Sequence, residues 1–202
     1  MLNVRKYINK TLSSNTYLVW VDDEKDCLLV DSGDSVQLLE DLFEDGFNVI
    51  GILLTHSHFD HIYGMNKIIR RYPKVKVYTN WFGRDSLLSD KLNLSRYHFN
   101  PYTIIEEGAI EVLPDNCTSL HLLGESISVY HVPGHNPSCL AFRVGEYLFS
   151  GDAFIPDVKV ITNIPKANKG LAERNYEYLK KLSTNCIVCA GHGDIIDNRY
   201  YS

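Results

Sequence analysis

Blocks of apolar and polar positions follow one another along this chain, and each block predicts an element. Residues 16–21, Thr-Tyr-Leu-Val-Trp-Val, are β-branched and aromatic and read as a strand. A charged turn at 22–26 leads to a second apolar run at 27–31, so the two strands form a hairpin. Val36, Leu38, Leu39, Leu42 and Phe43 then recur at helical spacing up to Gly46. Residues 49–55 are almost continuously apolar, as expected of a central strand covered on both faces. Ile62, Met65, Ile68 and Ile69 predict a helix that stops before Pro73, and residues 75–79 another strand. The polar and aromatic mixture of 81–101 predicts short helices and loops, with room to lie over a site.

The second half opens with short extended runs at 111–113, 120–123 and 127–132. Residues 139–144 and 147–150 flank the turn Gly145-Glu146 and predict a hairpin. A helix is expected over 171–182 and a last buried strand over 186–190. No close repeat, low-complexity tract or linker interrupts the chain, so it reads as one α/β domain over 1–202, built from two sheets.

Composition narrows this little. The chain has 202 residues, 45% of them hydrophobic and 22% charged, which is ordinary for a globular domain. Its net charge of −5 argues against a general nucleic-acid or anionic-membrane surface. No apolar run reaches the roughly 18 residues of a membrane span, and the N-terminus lacks a signal-peptide core, so a cytoplasmic location is expected. Five cysteines cannot all pair internally. Cys186 and Cys189 have C-x-x-C spacing, but three residues apart on a strand they point to opposite faces, so buried free thiols are expected.

The chemistry concentrates after the strands. His56, His58, Asp60 and His61 crowd four metal-ligating side chains into six positions behind the 49–55 run. His135, Asp152 and His192 each follow a further predicted strand and sit beside glycine. Strand-end loops are where α/β folds gather their chemistry. Five imidazoles and two carboxylates suit zinc, with iron or manganese as alternatives. His56 and His58, two apart, can grip one ion, with Asp60 and His61 turned toward a second; we assign His135 to the first, His192 to the second and Asp152 as a bridge. Two ions about 3.5–4 Å apart can hold a hydroxide between them, so no separate nucleophilic side chain is needed. Asp60 is also placed to orient that hydroxide and help move its proton. Asp60 and Asp152 are therefore the expected catalytic residues. Tyr63 could donate a hydrogen bond to the site, although packing is the more ordinary role. His98, His121 and His131 read as hydrogen-bonded loop residues.

The run 55–61, Thr-His-Ser-His-Phe-Asp-His, resembles the H-x-H-x-D-H signature of the metallo-β-lactamase superfamily. Gly134-His135, Gly151-Asp152 and Gly191-His192 match its later ligand motifs in order. The resemblance covers almost the whole chain and implies an αββα sandwich: two mixed β-sheets face to face, helices outside, metals at one edge. Within the superfamily the chain is similar to the glyoxalase II-like branch, without room before Ser202 for a C-terminal glutathione-binding helical domain. His61 stands where many β-lactamases carry a non-ligand residue, which points away from antibiotics.

The expected function is hydrolysis of a small ester, thioester or lactone. Two alternatives share the fold. A phosphodiesterase or nuclease would use Lys159, Lys166 and Lys169, expected in a loop after Asp152. A persulfide dioxygenase would hold one iron on His56, His135 and Asp152. A small-molecule substrate is expected in either hydrolytic or oxidative chemistry of this branch, and the oligomeric state is open.

Overall fold

The computed structural model describes residues 1–200, so the last two residues of the domain expected over 1–202 lie outside it. One six-stranded sheet runs in chain order: β1 (Leu2–Ile8), β2 (Asn15–Val21), β3 (Asp26–Val30), β4 (Asn48–Leu53), β5 (Lys76–Thr79) and β6 (Ile110–Val112). The second contains β7 (Ser119–Leu122), β8 (Glu125–His131), β9 (Leu140–Val144), β10 (Tyr147–Gly151), β11 (Ile187–Ala190) and β12 (Ile196–Asp197), again in order. Both sheets are mixed. Pairs from β3 to β6 are parallel and those from β1 to β3 antiparallel. In the second sheet only β10 and β11 run parallel. The helices are α1 (Val36–Glu44), α2 (Met65–Arg71), α3 (Trp81–Leu87) and α4 (Lys169–Leu182).

The period-two alternation of the strands sorts the core into three layers. Tyr17, Val19, Leu28, Val30 and Leu53 of the first sheet meet Val129, Leu140, Phe142, Phe149 and Cys189 of the second, forming the sandwich interior. Leu18, Cys27, Leu29 and Ile52 point the other way, onto Leu38 and Leu42 of α1 and Met65, Ile68 and Ile69 of α2. Ala141, Leu148 and Val188 likewise face Leu179 of α4. This is the expected αββα sandwich. Phe142 is fully buried between the sheets, so Phe142→Ala would cost about 3–5 kcal/mol.

Cys186 and Cys189 fall in different layers, as the strand argument requires, and all five cysteines are free. Four features depart from expectation. Strands β1 and β12 were not foreseen. Asp60 and His61 lie in a 3₁₀ turn, Phe59–His61, rather than at the start of a helix, and α2 begins only at Met65. Lys169 opens α4 instead of lying in a loop. Among the described residues no helix is long and apolar enough to cross a membrane.

Candidate metal centre

Strand β4 lies between β3 and β5 in the first sheet, and at its end Thr55 leads into His56 and His58. The 3₁₀ turn then folds Asp60 and His61 back beneath them. His135 follows β8, Asp152 follows β10 directly, and His192 follows β11. Two glycines make the convergence possible. At Gly151 the backbone is left-handed (φ 51°), turning Asp152 inward. At Gly191 a Cβ would stand 2.0 Å from Asp152 Oδ1, so only glycine leaves the carboxylate its place.

All seven residues singled out from the sequence come together here. They form three overlapping groups whose ligand atoms lie within 4.8 Å of one another: His56-His58-His135, His56-His61-Asp152 and Asp60-His61-His192. Asp152 sits in the middle. Its Oδ2 is 3.9 Å from His56 Nε2, 3.6 Å from His135 Nε2 and 3.5 Å from His192 Nε2, while Oδ1 is 3.6 Å from His61 Nε2. Asp60 Oδ2 lies 3.3 Å from His61 Nε2 and 3.4 Å from His192 Nε2.

These separations are long for hydrogen bonds and suit a shared ion. Atoms about 2.0–2.1 Å from one tetrahedral ion lie roughly 3.3 Å apart. His56 Nε2, His61 Nε2 and Asp152 Oδ1 are buried with no hydrogen-bond partner. Leaving a buried polar atom unpaired costs about 1–3 kcal/mol, so three facing one another need an explanation. Divalent cations supply one, and the residues fit them.

A superfamily sequence model described as "Metallo-beta-lactamase superfamily" matches residues 9–192. The chain belongs to this superfamily. A curated hydroxyacylglutathione hydrolase from Edwardsiella ictaluri is 29% identical over 185 residues, covering 90% of this chain and 63% of that protein. The chain therefore spans less than two thirds of that relative's length, and the match agrees with the glyoxalase II-like resemblance. Among solved structures, the B3 metallo-beta-lactamase BLEG-1 superposes with a TM-score of 0.88 at 26% identity, covering 97% of this chain and 94% of that one. TTHA1623 in a di-iron-bound form gives a TM-score of 0.76 at 26% identity, covering 96% and 94%.

In this member of the superfamily the candidate ligands rest on a buried outer layer that its sequence did not reveal. Asp31 accepts from the Thr55 backbone N–H and hydroxyl, both at 2.7 Å, and from His61 Nδ1 at 2.8 Å. That bond turns His61 Nε2 toward the centre. His135 Nδ1 donates to the Ile161 carbonyl at 2.9 Å, which leaves Nε2 free to ligate. Asn136 Nδ2 contacts His58 Nε2 at 2.9 Å, and its Oδ1 accepts from Ser138, whose hydroxyl accepts from the Ser57 N–H. His58 Nδ1 then faces His135 Nε2 at 2.9 Å.

Burial and mutual charge set the protonation of the centre without metal. Burial and the neighbouring His61 drive His56 well below the ordinary histidine value, and burial with His135 pushes His58 down to about 3. Burial also opposes charge on His61, but Asp60, Asp31 and Asp152 outweigh it and raise His61 to about 9. His192 rises to about 10: burial opposes it, and the neighbouring carboxylates of Asp152 and Asp60 prevail. Asp152 is held well below the usual carboxylate range, because His192, His61, His56 and His135 overcome its burial.

A cleft of about 420 Å³ opens from the centre, with His58, Asp60, His135, Asp152 and His192 at its floor. Leu94, from the 81–101 region, reaches its wall. Tyr63 does not line it; its hydroxyl faces His98 Nδ1 at 3.4 Å, and the ring packs against the α1–α2 core. Of the three lysines considered, only Lys159 lines the cleft, while Lys169 pairs with Glu173 on the surface of α4.

Proposed function

We propose that this chain is a metal-dependent hydrolase of a small ester, thioester or lactone, working as one domain over residues 1–202. The observation that carries the reading is the central position of Asp152 between two histidine groups. His56, His58 and His135 would hold one divalent ion, Asp60, His61 and His192 a second, and Asp152 would bridge them. Zinc is the first candidate. Iron and manganese suit the same donors, and the di-iron form of TTHA1623 supports iron.

When bound, the ions would make water nucleophilic near neutral pH and polarise a carbonyl oxygen. The protein's own part is placement. Asp31, Ile161 O and Asn136 fix the imidazole rings, so the ligands need not reorganise. Asp60 stays a carboxylate, because His61 and His192 outweigh its burial. It is the group placed to orient the attacking water and receive its proton.

The cleft disfavours the phosphodiester alternative, since Lys159 is the one cationic side chain besides histidine among its lining residues. The dioxygenase alternative uses one iron on His56, His135 and Asp152 and keeps the other motif residues, so oxygen uptake with glutathione persulfide, not the ligand set, separates it from the hydrolase. The likeness to BLEG-1 favours a second reading that His61 had argued against, attack on the cyclic amide of a β-lactam. Assay of metal-loaded protein against esters, thioesters, lactones and a β-lactam tests both. Ester or thioester turnover that vanishes on chelation is expected; no turnover with two ions bound would overturn the first reading.

A further inference from the structure

Above its floor of metal-centre residues the cleft is almost wholly apolar. Leu12, Phe59, Leu94, Ile155, Ile161 and Ile164 form its walls. Leu12 and Ile161 are 60% and 56% exposed there.

These walls are built, not incidental. Leu12 (φ 52°) and Leu94 (φ 67°) both hold left-handed backbone, which is uncommon for a leucine. Buried or half-buried polar bonds enforce both. Around Leu12, the Thr11 N–H and hydroxyl donate to Asp34 at 3.0 and 2.8 Å. The Ser14 hydroxyl donates to the Asp60 carbonyl at 2.8 Å, fastening this loop to the metal centre. Around Leu94, the Asn93 side chain donates to the Ser86 and Tyr102 carbonyls and accepts from the Ser95 N–H. On the opposite side the Ile161 carbonyl takes the hydrogen bond of His135, tying that wall to a metal-ligating ring. Three separate loops thus present aliphatic groups at fixed positions around the reacting centre. Lys159, on the exposed rim, has no carboxylate partner among the described residues, so one cation stands against six apolar walls.

We propose that the substrate carries an uncharged hydrocarbon group beside its scissile carbonyl, seated on Leu12, Phe59, Leu94, Ile155, Ile161 and Ile164. This rests on the hydrolase reading and specifies its substrate class: acyl esters or thioesters with a medium-length aliphatic acyl group.

The test has two arms. In the first, metal-loaded protein hydrolyses thioesters of one small thiol with acyl groups from acetyl to octanoyl. Each methylene buried in the cleft should raise kcat/KM about threefold to fourfold until the cleft is filled. Hexanoyl, four methylenes longer, should therefore exceed acetyl by about eightyfold or more if all four are buried. In the second arm, straight-chain carboxylates from acetate to octanoate are titrated calorimetrically into the same protein, which needs no turnover. Affinity should climb with the same steepness. Leu12→Ser and Ile161→Ser, chosen because both side chains are exposed, should each flatten the slope and cut the octanoyl-over-acetyl ratio by about threefold or more.

Turnover with a flat or falling profile overturns the proposal and leaves the hydrolase reading intact. A steep carboxylate series without any thioester turnover upholds the apolar seat and overturns the hydrolase reading. Steep slopes that neither variant changes place the hydrocarbon elsewhere and also overturn it.

Discussion

Asp31 Oδ2 and His61 Nδ1 meet at 2.8 Å, both side chains buried, thirty residues apart in sequence. The carboxylate lies at the end of β3, and the imidazole in the loop after β4, the parallel neighbour of β3. A strand pairing thereby fixes the orientation of a candidate metal ligand.

Asp31→Asn should keep the shape of this contact and weaken its charge. Loss of such an outer partner typically costs about 10–100-fold in metal affinity. The loss is expected at the Asp60-His61-His192 group, with the far-ultraviolet spectrum unchanged, and competition with a chromophoric chelator measures it. Asp31→Ala would also strip the Thr55 N–H and hydroxyl of their acceptor. It should destabilise the fold by about 3–5 kcal/mol, readable as a drop in Tm.

Gly191→Ala addresses the space around Asp152. Its Cβ would lie 2.0 Å from Asp152 Oδ1 and 3.1 Å from His61 Cε1. The carboxylate must move, so we expect at least one ion to be lost from an otherwise folded chain. Full metal content in this variant would show that Asp152 does not bridge.

Much of this centre was legible because strand ends and ligands coincide. The apolar run 49–54 reads as a buried central strand, and the histidines behind it inherit its position. Strand β1 was not legible, because Asn3, Arg5 and Lys6 interrupt its apolar positions. It is an edge strand, where charge is tolerated: Arg5 pairs with Asp41 and Asp45, and Lys6 with Asp194. The 3₁₀ turn at 59–61 escaped the helical pattern because it is held from outside, by the Ser32 N–H to His61 carbonyl bond at 2.8 Å. Asp31 and Asn136 carry no spacing signal. One follows a strand and the other a histidine, and only the tertiary fold shows what each one holds.

Metal binding should tighten as pH rises. Raised to about 9 and about 10, His61 and His192 hold protons near neutrality in the metal-free centre, and an ion must displace them. Raising the pH lowers that cost, by about tenfold in affinity per pH unit for each proton released. The gain should fade as pH passes the raised values. Chelator competition between pH 6 and 9 checks this, and a pH-independent affinity would count against ligation by these two histidines.

Asp152→Ala removes the carboxylate that every other ligand group faces. Metal content and hydrolysis should fall together, hydrolysis to background. A variant that kept both would remove Asp152 from the centre of the account.

The most direct test of the central claim is elemental analysis of the purified chain, loaded and then desalted, beside its metal-free form. Two divalent ions per chain, falling to one or none in His192→Ala, are predicted by two ligand groups joined through Asp152. A chain that retains no ion, or one that binds a single ion with His192→Ala unchanged, would contradict it.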